Sequence, residues 1–172
     1  MDTLAADGVT GFTTRRVAQA ARTSTPAVYE LFGDRAGLVR EMFFQAFRQL
    51  AQRFDQLSAT GDPRHDLTEV IQALRAFIVD HPALGQLMFS RPFADFDPGP
   101  AQRSAGDKTR QFITARVRRC IDAGTFTGDE TDIAHVVLAL ARGLATQEAA
   151  GWLGTSRESA ERRWTKRGGT HS

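Results

Sequence analysis

The chain has 172 residues, 41% of them hydrophobic, and a formal net charge of +2. That length builds a core without covalent staples, and that charge is too small to argue for a nucleic-acid partner by itself. The single cysteine, Cys120, excludes an intrachain disulfide, and no run approaches the ~20 apolar residues of a membrane-spanning helix. The N-terminus also lacks a basic segment followed by an apolar one, so the expected location is the cytoplasm.

In chain order, Leu4-Ala5-Ala6-Asp7-Gly8 reads as the last turn of an apolar helix ending at a glycine. Thr13 can cap a second helix through Ala20, with Val17, Ala18 and Ala21 on one face. A third begins at Ser24-Thr25-Pro26, where a hydroxyl residue caps and proline is tolerated in the first turn. It is about two turns long and turns Val28 and Phe32 inward. Thr25, Ala27 and Tyr29 lie opposite, small or polar side chains with no core to serve. Helix, tight turn and short helix with a lean outward face is the geometry of a helix-turn-helix entering a major groove.

From Leu38 to Leu57, apolar residues recur at 3-to-4 spacing, predicting a long helix that bridges into the remainder of the chain and stops at Gly61-Asp62-Pro63. Leu67, Val70, Ile71, Leu74, Phe77 and Ile78 predict the next, closed by His81-Pro82. A short apolar helix holds Leu84, Leu87, Met88 and Phe89, and Arg91-Pro92 breaks it. Residues 92–106, with three prolines and two glycines, read as a loop whose Phe93 and Phe96 either cover a pocket or plug the core. A helix over 107–123 follows, with Cys120 on its apolar stripe. Another opens at Gly128-Asp129 and reaches about Trp152. Between Ile133 and Ala145 it is apolar almost all round, broken by His135 and Arg142, so one face should need a partner chain. Thr155 and Glu158 fit a capping box for a final helix through Trp164. No segment alternates as a strand would, and the fold class is all-α.

Catalytic arrangements are missing from this pattern. No glycine-rich phosphate loop, nucleophile elbow or metal-spaced Cys/His pair occurs, and the four histidines are scattered. The acids Asp129, Glu130 and Asp132 sit in a helix's first turn, where the helix dipole already accounts for them. The chain is therefore expected to be neither an enzyme nor a metal or cofactor protein. His135, Arg142 and Gln147 on the apolar helix admit two readings, ligand contacts or structural polar groups. With Phe54, Phe77, Met88, Phe89 and Phe112 they form the candidate ligand-binding set, although rings at helical spacing also serve as core.

The run Phe12-Thr13-Thr14, Val17-Ala18, Ala21-Arg22-Thr23-Ser24, Val28-Tyr29, Phe32, Asp34-Arg35 and Leu38 resembles the tetracycline-repressor-like (TetR) family of dimeric transcriptional regulators. The resemblance implies a helix-turn-helix DNA-binding domain over 1–40, a helical ligand-binding and dimerisation domain over 41–168, and a tail at 169–172. It implies a homodimer through the last two helices, a double-stranded DNA operator, and a small-molecule effector that releases a repressor. The expected DNA-binding residues are Thr14, Arg15, Ser24, Thr25, Ala27, Tyr29 and Arg35. Among them Tyr29 and Arg35 suit phosphates, and Thr25 and Ala27 suit base edges. Family members usually begin with a longer first helix than this sequence carries, which leaves open a late start codon, a truncation or a stunted reading domain. Arg22 stands where the family usually has glycine, which predicts a non-glycine residue at positive φ. Glu30 and Leu31 add a carboxylate and an apolar group near the expected phosphates. Arg15, Arg16, Arg22, Arg35 and Arg40 are offset by Asp2, Asp7, Glu30, Asp34 and Glu41, so non-specific DNA affinity should be modest. The rival expectation is a homodimeric small-molecule-binding or partner protein of this fold that no longer reads DNA.

Overall fold

The computed structural model of the chain describes residues 22–90, 97 and 99–165, together with Arg15, Ala18 and Gln19. The first-helix residues, Thr13, Thr14, Phe93, Phe96 and the tail at 169–172 lie outside the described residues. Seven helices and no strand are found among those described: α1 Thr25–Phe32, α2 Arg35–Asp55, α3 Pro63–Asp80, α4 Pro82–Met88, α5 Pro100–Asp122, α6 Glu130–Ala149 and α7 Arg157–Thr165. The all-α class is as expected.

The core lies where α2, α3, α4 and α5 meet. Leu50, Phe54, Leu74, Phe77, Ile78, Leu87 and Val117 are almost wholly buried there. Each such side chain contributes roughly 1.5–3 kcal/mol by leaving water. α3 packs chiefly against α6 and α5, α2 against α5, and the short α4 fills the space between α2, α3 and α6. Gly85 permits that fit, because a Cβ there would lie 3.1 Å from the Ile78 side chain. Cys120 is buried, as its stripe predicts, and its thiol donates to the Pro63 carbonyl at 3.2 Å. Burial pushes the thiol pKa up, which keeps it protonated and unreactive.

α2 starts at Arg35, where the bridging helix is expected to begin, because the Asp34 carboxylate accepts from the Gly37 N–H at 2.6 Å and nucleates the first turn. Four other boundaries differ from those expected. α2 ends at Asp55, and residues 56–62 form a loop fastened by side chains. α5 begins at Pro100 rather than near 107, so residues 100–106 are helix, not loop. Proline is favourable in that first turn, where its absent N–H has no partner to lose. α6 stops at Ala149, where Gly151 (φ 76°) lets the Trp152 N–H reach the Gln147 carbonyl at 2.7 Å, and Trp152 is left 83% exposed. Finally, the cap of α7 is the pair Ser156 and Ser159, each backbone N–H donating to the other's hydroxyl at 3.2–3.3 Å. Thr155 and Glu158 are not the pair that closes it.

Two polar networks tie the bundle together. The buried Asp66 carboxylate accepts from the Thr60 hydroxyl at 2.7 Å, from the Thr60 N–H at 3.0 Å, and from Arg116 and Arg119. The two arginines also donate to the Leu57 and Thr60 carbonyls, so the α2–α3 loop is sewn onto α5. The Thr60 hydrogen bonds, with the Arg119 guanidinium, lower the Asp66 pKa from 3.8 to about 2 against the cost of burial. At the other side, Arg75 holds Glu148 of α6 through two bonds of 2.7 Å and Glu161 of α7 through bonds of 2.7 and 3.0 Å. Its guanidinium lies 4.9 Å from the Trp164 ring, whose Nε1–H donates to Glu148. α7 is thereby clamped across α3 and α6.

Candidate functional site

The first candidate surface is built from the turn before α1. The Thr23 N–H donates to the Ala18 carbonyl at 2.9 Å and the Arg22 N–H to Gln19 at 3.1 Å, a Schellman closure with Arg22 at φ 52°. The positive φ expected for Arg22 is thus present. Ser24 caps α1, its hydroxyl accepting from the Ala27 N–H at 3.2 Å. Val28 is buried and Phe32 half-buried, both toward the core. Away from it, Tyr29 is 46% exposed, Leu31 75%, and Glu30 is also exposed. Thr25 and Ala27 are half-buried, so they are less bare than the lean-face reading expects, while Ser24, Arg15 and Arg35 are exposed. Thr14 lies outside the described residues.

Only Gly33 and Asp34 separate α1 from α2. That tight joint depends on a residue that apolar periodicity does not single out. A Cβ on Gly37 would fall 1.9 Å from the Phe32 carbonyl oxygen, so no side chain fits where α2 starts under the end of α1. A glycine so close to the start of a helix is the signal the sequence offers for it.

The second candidate surface is a cleft of about 450 Å³ between α2 and α5. Its floor is Phe44, Phe47, Ala51, Phe54 and Phe112, and its rim carries Arg48, Asp55 and Lys108. The Phe54 and Phe112 rings stack with centroids 5.2 Å apart, and the Arg116 guanidinium covers Phe112 at 5.0 Å. Of the expected ligand-binding set, the structure brings only these two rings together at the cleft. Phe77 and Met88 are buried core residues, with Arg53 and His81 against the Phe77 ring. Phe89 is half-buried and pairs instead with Arg142, whose guanidinium lies 5.0 Å from its ring.

His135 and Gln147 are exposed on the outer side of α6, away from the cleft. The His135 Nδ1 lies 2.7 Å from the Thr131 carbonyl, the backbone partner a structural histidine would have. The helix is inverted in polarity. It turns the small residues Ala134, Ala141 and Ala145 inward and leaves Val136 66% and Leu140 63% exposed. Gly143 and Gln147 continue that outward stripe at helical spacing. At the N-terminus of α6, Asp129 caps by accepting from the Thr131 and Asp132 N–H groups, and Glu130 is engaged by Arg118.

Comparison with known proteins follows the same division. Residues 1–42 match the family model for bacterial regulatory proteins of the tetR family, and residues 67–166 match that for the tetracyclin repressor-like C-terminal domain. No curated protein matches the chain. Among solved structures, a protein of unknown function from Rhodococcus sp. RHA1 superposes with a TM-score of 0.76 at 26% identity, over 95% of this chain and 86% of that one. The TetR family transcriptional regulator PfmR from Thermus thermophilus gives 0.67 at 18% identity, over 91% and 96%. A TetR transcription regulator from Haloarcula marismortui gives 0.63 at 20%, over 93% and 91%. With one matched model spanning more than half of its residues and the helical architecture in agreement, the chain belongs to the TetR family.

Proposed function

We propose that the protein is a ligand-responsive transcriptional repressor that binds a palindromic DNA operator as a homodimer and is released by a small molecule. The observation that carries the reading is the outward face of α1. Its phenol, with Ser24 and Arg35 at either end of α1, remains open to solvent, while α2 runs from the joint beneath that face directly into the floor of the cleft. Tyr29 can donate to a phosphate and Arg35, at the start of α2, can pair with one. The exposed Val136 and Leu140 support pairing of two copies through α6, since an apolar stripe of this kind on a soluble helix calls for cover. Two reading helices about 34–36 Å apart would then enter successive major grooves. No helix among the described residues is long and apolar enough to cross a membrane, which agrees with a role on DNA in the cytoplasm.

The test is selection from a random duplex pool followed by fluorescence anisotropy at several salt concentrations. The expected result is a palindrome bound with a steep salt dependence. Equal affinity for every duplex at one salt concentration would refute the reading. Glu30 and Leu31 on the same face favour the rival, a protein of this fold without DNA binding. A combined Tyr29→Phe and Arg35→Ala variant losing less than about 1 kcal/mol of binding, roughly fivefold, would decide for that rival.

A further inference from the structure

We propose that the α2–α5 cleft binds an amphipathic monocarboxylate, with its carboxylate between Arg48 and Lys108 and its apolar body on the phenylalanine floor. The inference rests on the cleft being the effector site and adds the chemical class of its occupant.

α2 and α5 run side by side in the same direction. The Arg40 side chain reaches the Asp97 carbonyl, Phe47 meets Gly106, Phe54 stacks on Phe112, and Arg116 and Arg119 reach Leu57 and Thr60. In that register Arg48 and Lys108 stand nearly level across the cleft. Small residues, Ala51, Ala101 and Ala105, keep the space between the helices open. Gly106 of α5 faces the Phe47 ring of α2, which lies 3.6 Å from where a Cβ would stand, at ordinary contact distance. The volume of about 450 Å³ falls in the range of small-molecule sites, which are mostly apolar with a few polar groups fixing orientation.

Charge selects the ligand. Arg53, Arg103, Arg110 and Arg118 each have a carboxylate partner within the chain, at Asp80, Asp97, Asp107 and Glu130. Arg48 and Lys108 have none among the described residues, and both are exposed at the rim. Two open cations over aromatic walls fit one anionic head with an apolar body. Asp55 lies two helical turns beyond Arg48, about 10 Å along α2. It opposes a second anionic group at the far end, so a monoanion is preferred to a dianion. Another cleft of comparable size among the described residues, between α3, α6 and α7, is less suited to an anion, because Asp80, Glu148 and Glu161 line it together with Arg157 and its Arg75 is already held by Glu148 and Glu161.

The experiment is calorimetric titration of the full chain with decanoate, decanol, decylammonium and decanedioate. Decanoate should bind at least about tenfold more tightly than the other three, the effect of roughly one charge-assisted hydrogen bond made or opposed. Arg48→Ala with Lys108→Ala should remove that advantage over decanol, and both positions are exposed, so folding is not at stake. Ala51→Trp should fill the cleft and abolish binding of both. Decanol binding as tightly as decanoate, full affinity in the double variant, or no heat with decanoate at millimolar concentration would each overturn the assignment. If decanoate binds while operator affinity is unchanged, the effector reading fails and the cleft assignment stands.

Discussion

Replacing Arg22 by glycine should stabilise the protein, and the chain supplies its own controls. Among the described residues, three helix ends carry the same pair of crossed backbone bonds. At Gly124 and Gly151 the left-handed residue is glycine, at φ 73° and 76°, and at the end preceding α1 it is Arg22, at φ 52°. An L-residue in that region costs roughly 1–2 kcal/mol from the close approach of its Cβ to the following carbonyl. Glycine removes that cost but gives back roughly 0.5–1 kcal/mol through the greater freedom of the unfolded chain. The Arg22 side chain is exposed and makes no hydrogen bond or ion pair among the described residues, so little else is lost. The net gain is therefore about 0.5–1 kcal/mol, or roughly 1–4 °C in Tm when the turn unfolds with the rest of a chain of this size. Urea denaturation of Arg22→Gly and Arg22→Ala gives the global reading, and hydrogen exchange of the α1 amides the local one. Alanine retains the Cβ, so Arg22→Ala should stay within about 0.5 kcal/mol of the parent. If the glycine variant is no more stable than the alanine variant, the backbone argument is wrong.

Gly37→Ala should act in the opposite direction, because its methyl group would collide with the Phe32 carbonyl at 1.9 Å. A loss of more than about 2 kcal/mol is expected in denaturation, with faster exchange of α1 amides. Leu140→Arg should convert a dimer into a monomer in sedimentation velocity by placing a charge in the α6 stripe, with the helical circular dichroism unchanged. Stability against acid should follow Asp66. Its folded pKa of about 2 lies below the ordinary 3.8, so its contribution is complete above about pH 4 and is lost as the pH falls toward 2. Asp66→Asn should lower stability at neutral pH and flatten that limb of the profile. An unchanged acid limb would show that the Thr60 contacts do not hold the carboxylate as described.

Periodicity makes α2, α3 and α6 legible in the sequence, since long apolar stripes at helical spacing leave few alternatives. The differences arise where one residue type carries two meanings. Pro100 reads as loop punctuation when it is the first turn of a helix, and Thr155-x-x-Glu158 satisfies a capping pattern that Ser156 and Ser159 fulfil one residue later. Phe54 and Phe112 are visible as candidates, but nothing in either helix alone says that they face each other, since their pairing depends on how α2 and α5 are laid together. For the same reason His135, Arg142 and Gln147 share a helix without sharing the cleft. The Arg48 and Lys108 pair, far apart along the chain, exists only in three dimensions.

The stitching of Leu57 and Thr60 to Arg116 and Arg119 fixes one end of α2, whereas nearer its beginning the hydrogen bond toward α5 found among the described residues runs from Arg40 to the Asp97 carbonyl. Were α2 to move as a rigid rod about that fixed end, its fulcrum would lie near Asp55. Arg48 lies about 10 Å from that point and Arg35 about 30 Å, at ~1.5 Å per residue. A displacement of about 1 Å at the rim would then swing the tip beside α1 by about 3 Å, an amplification set by where the arginines are placed.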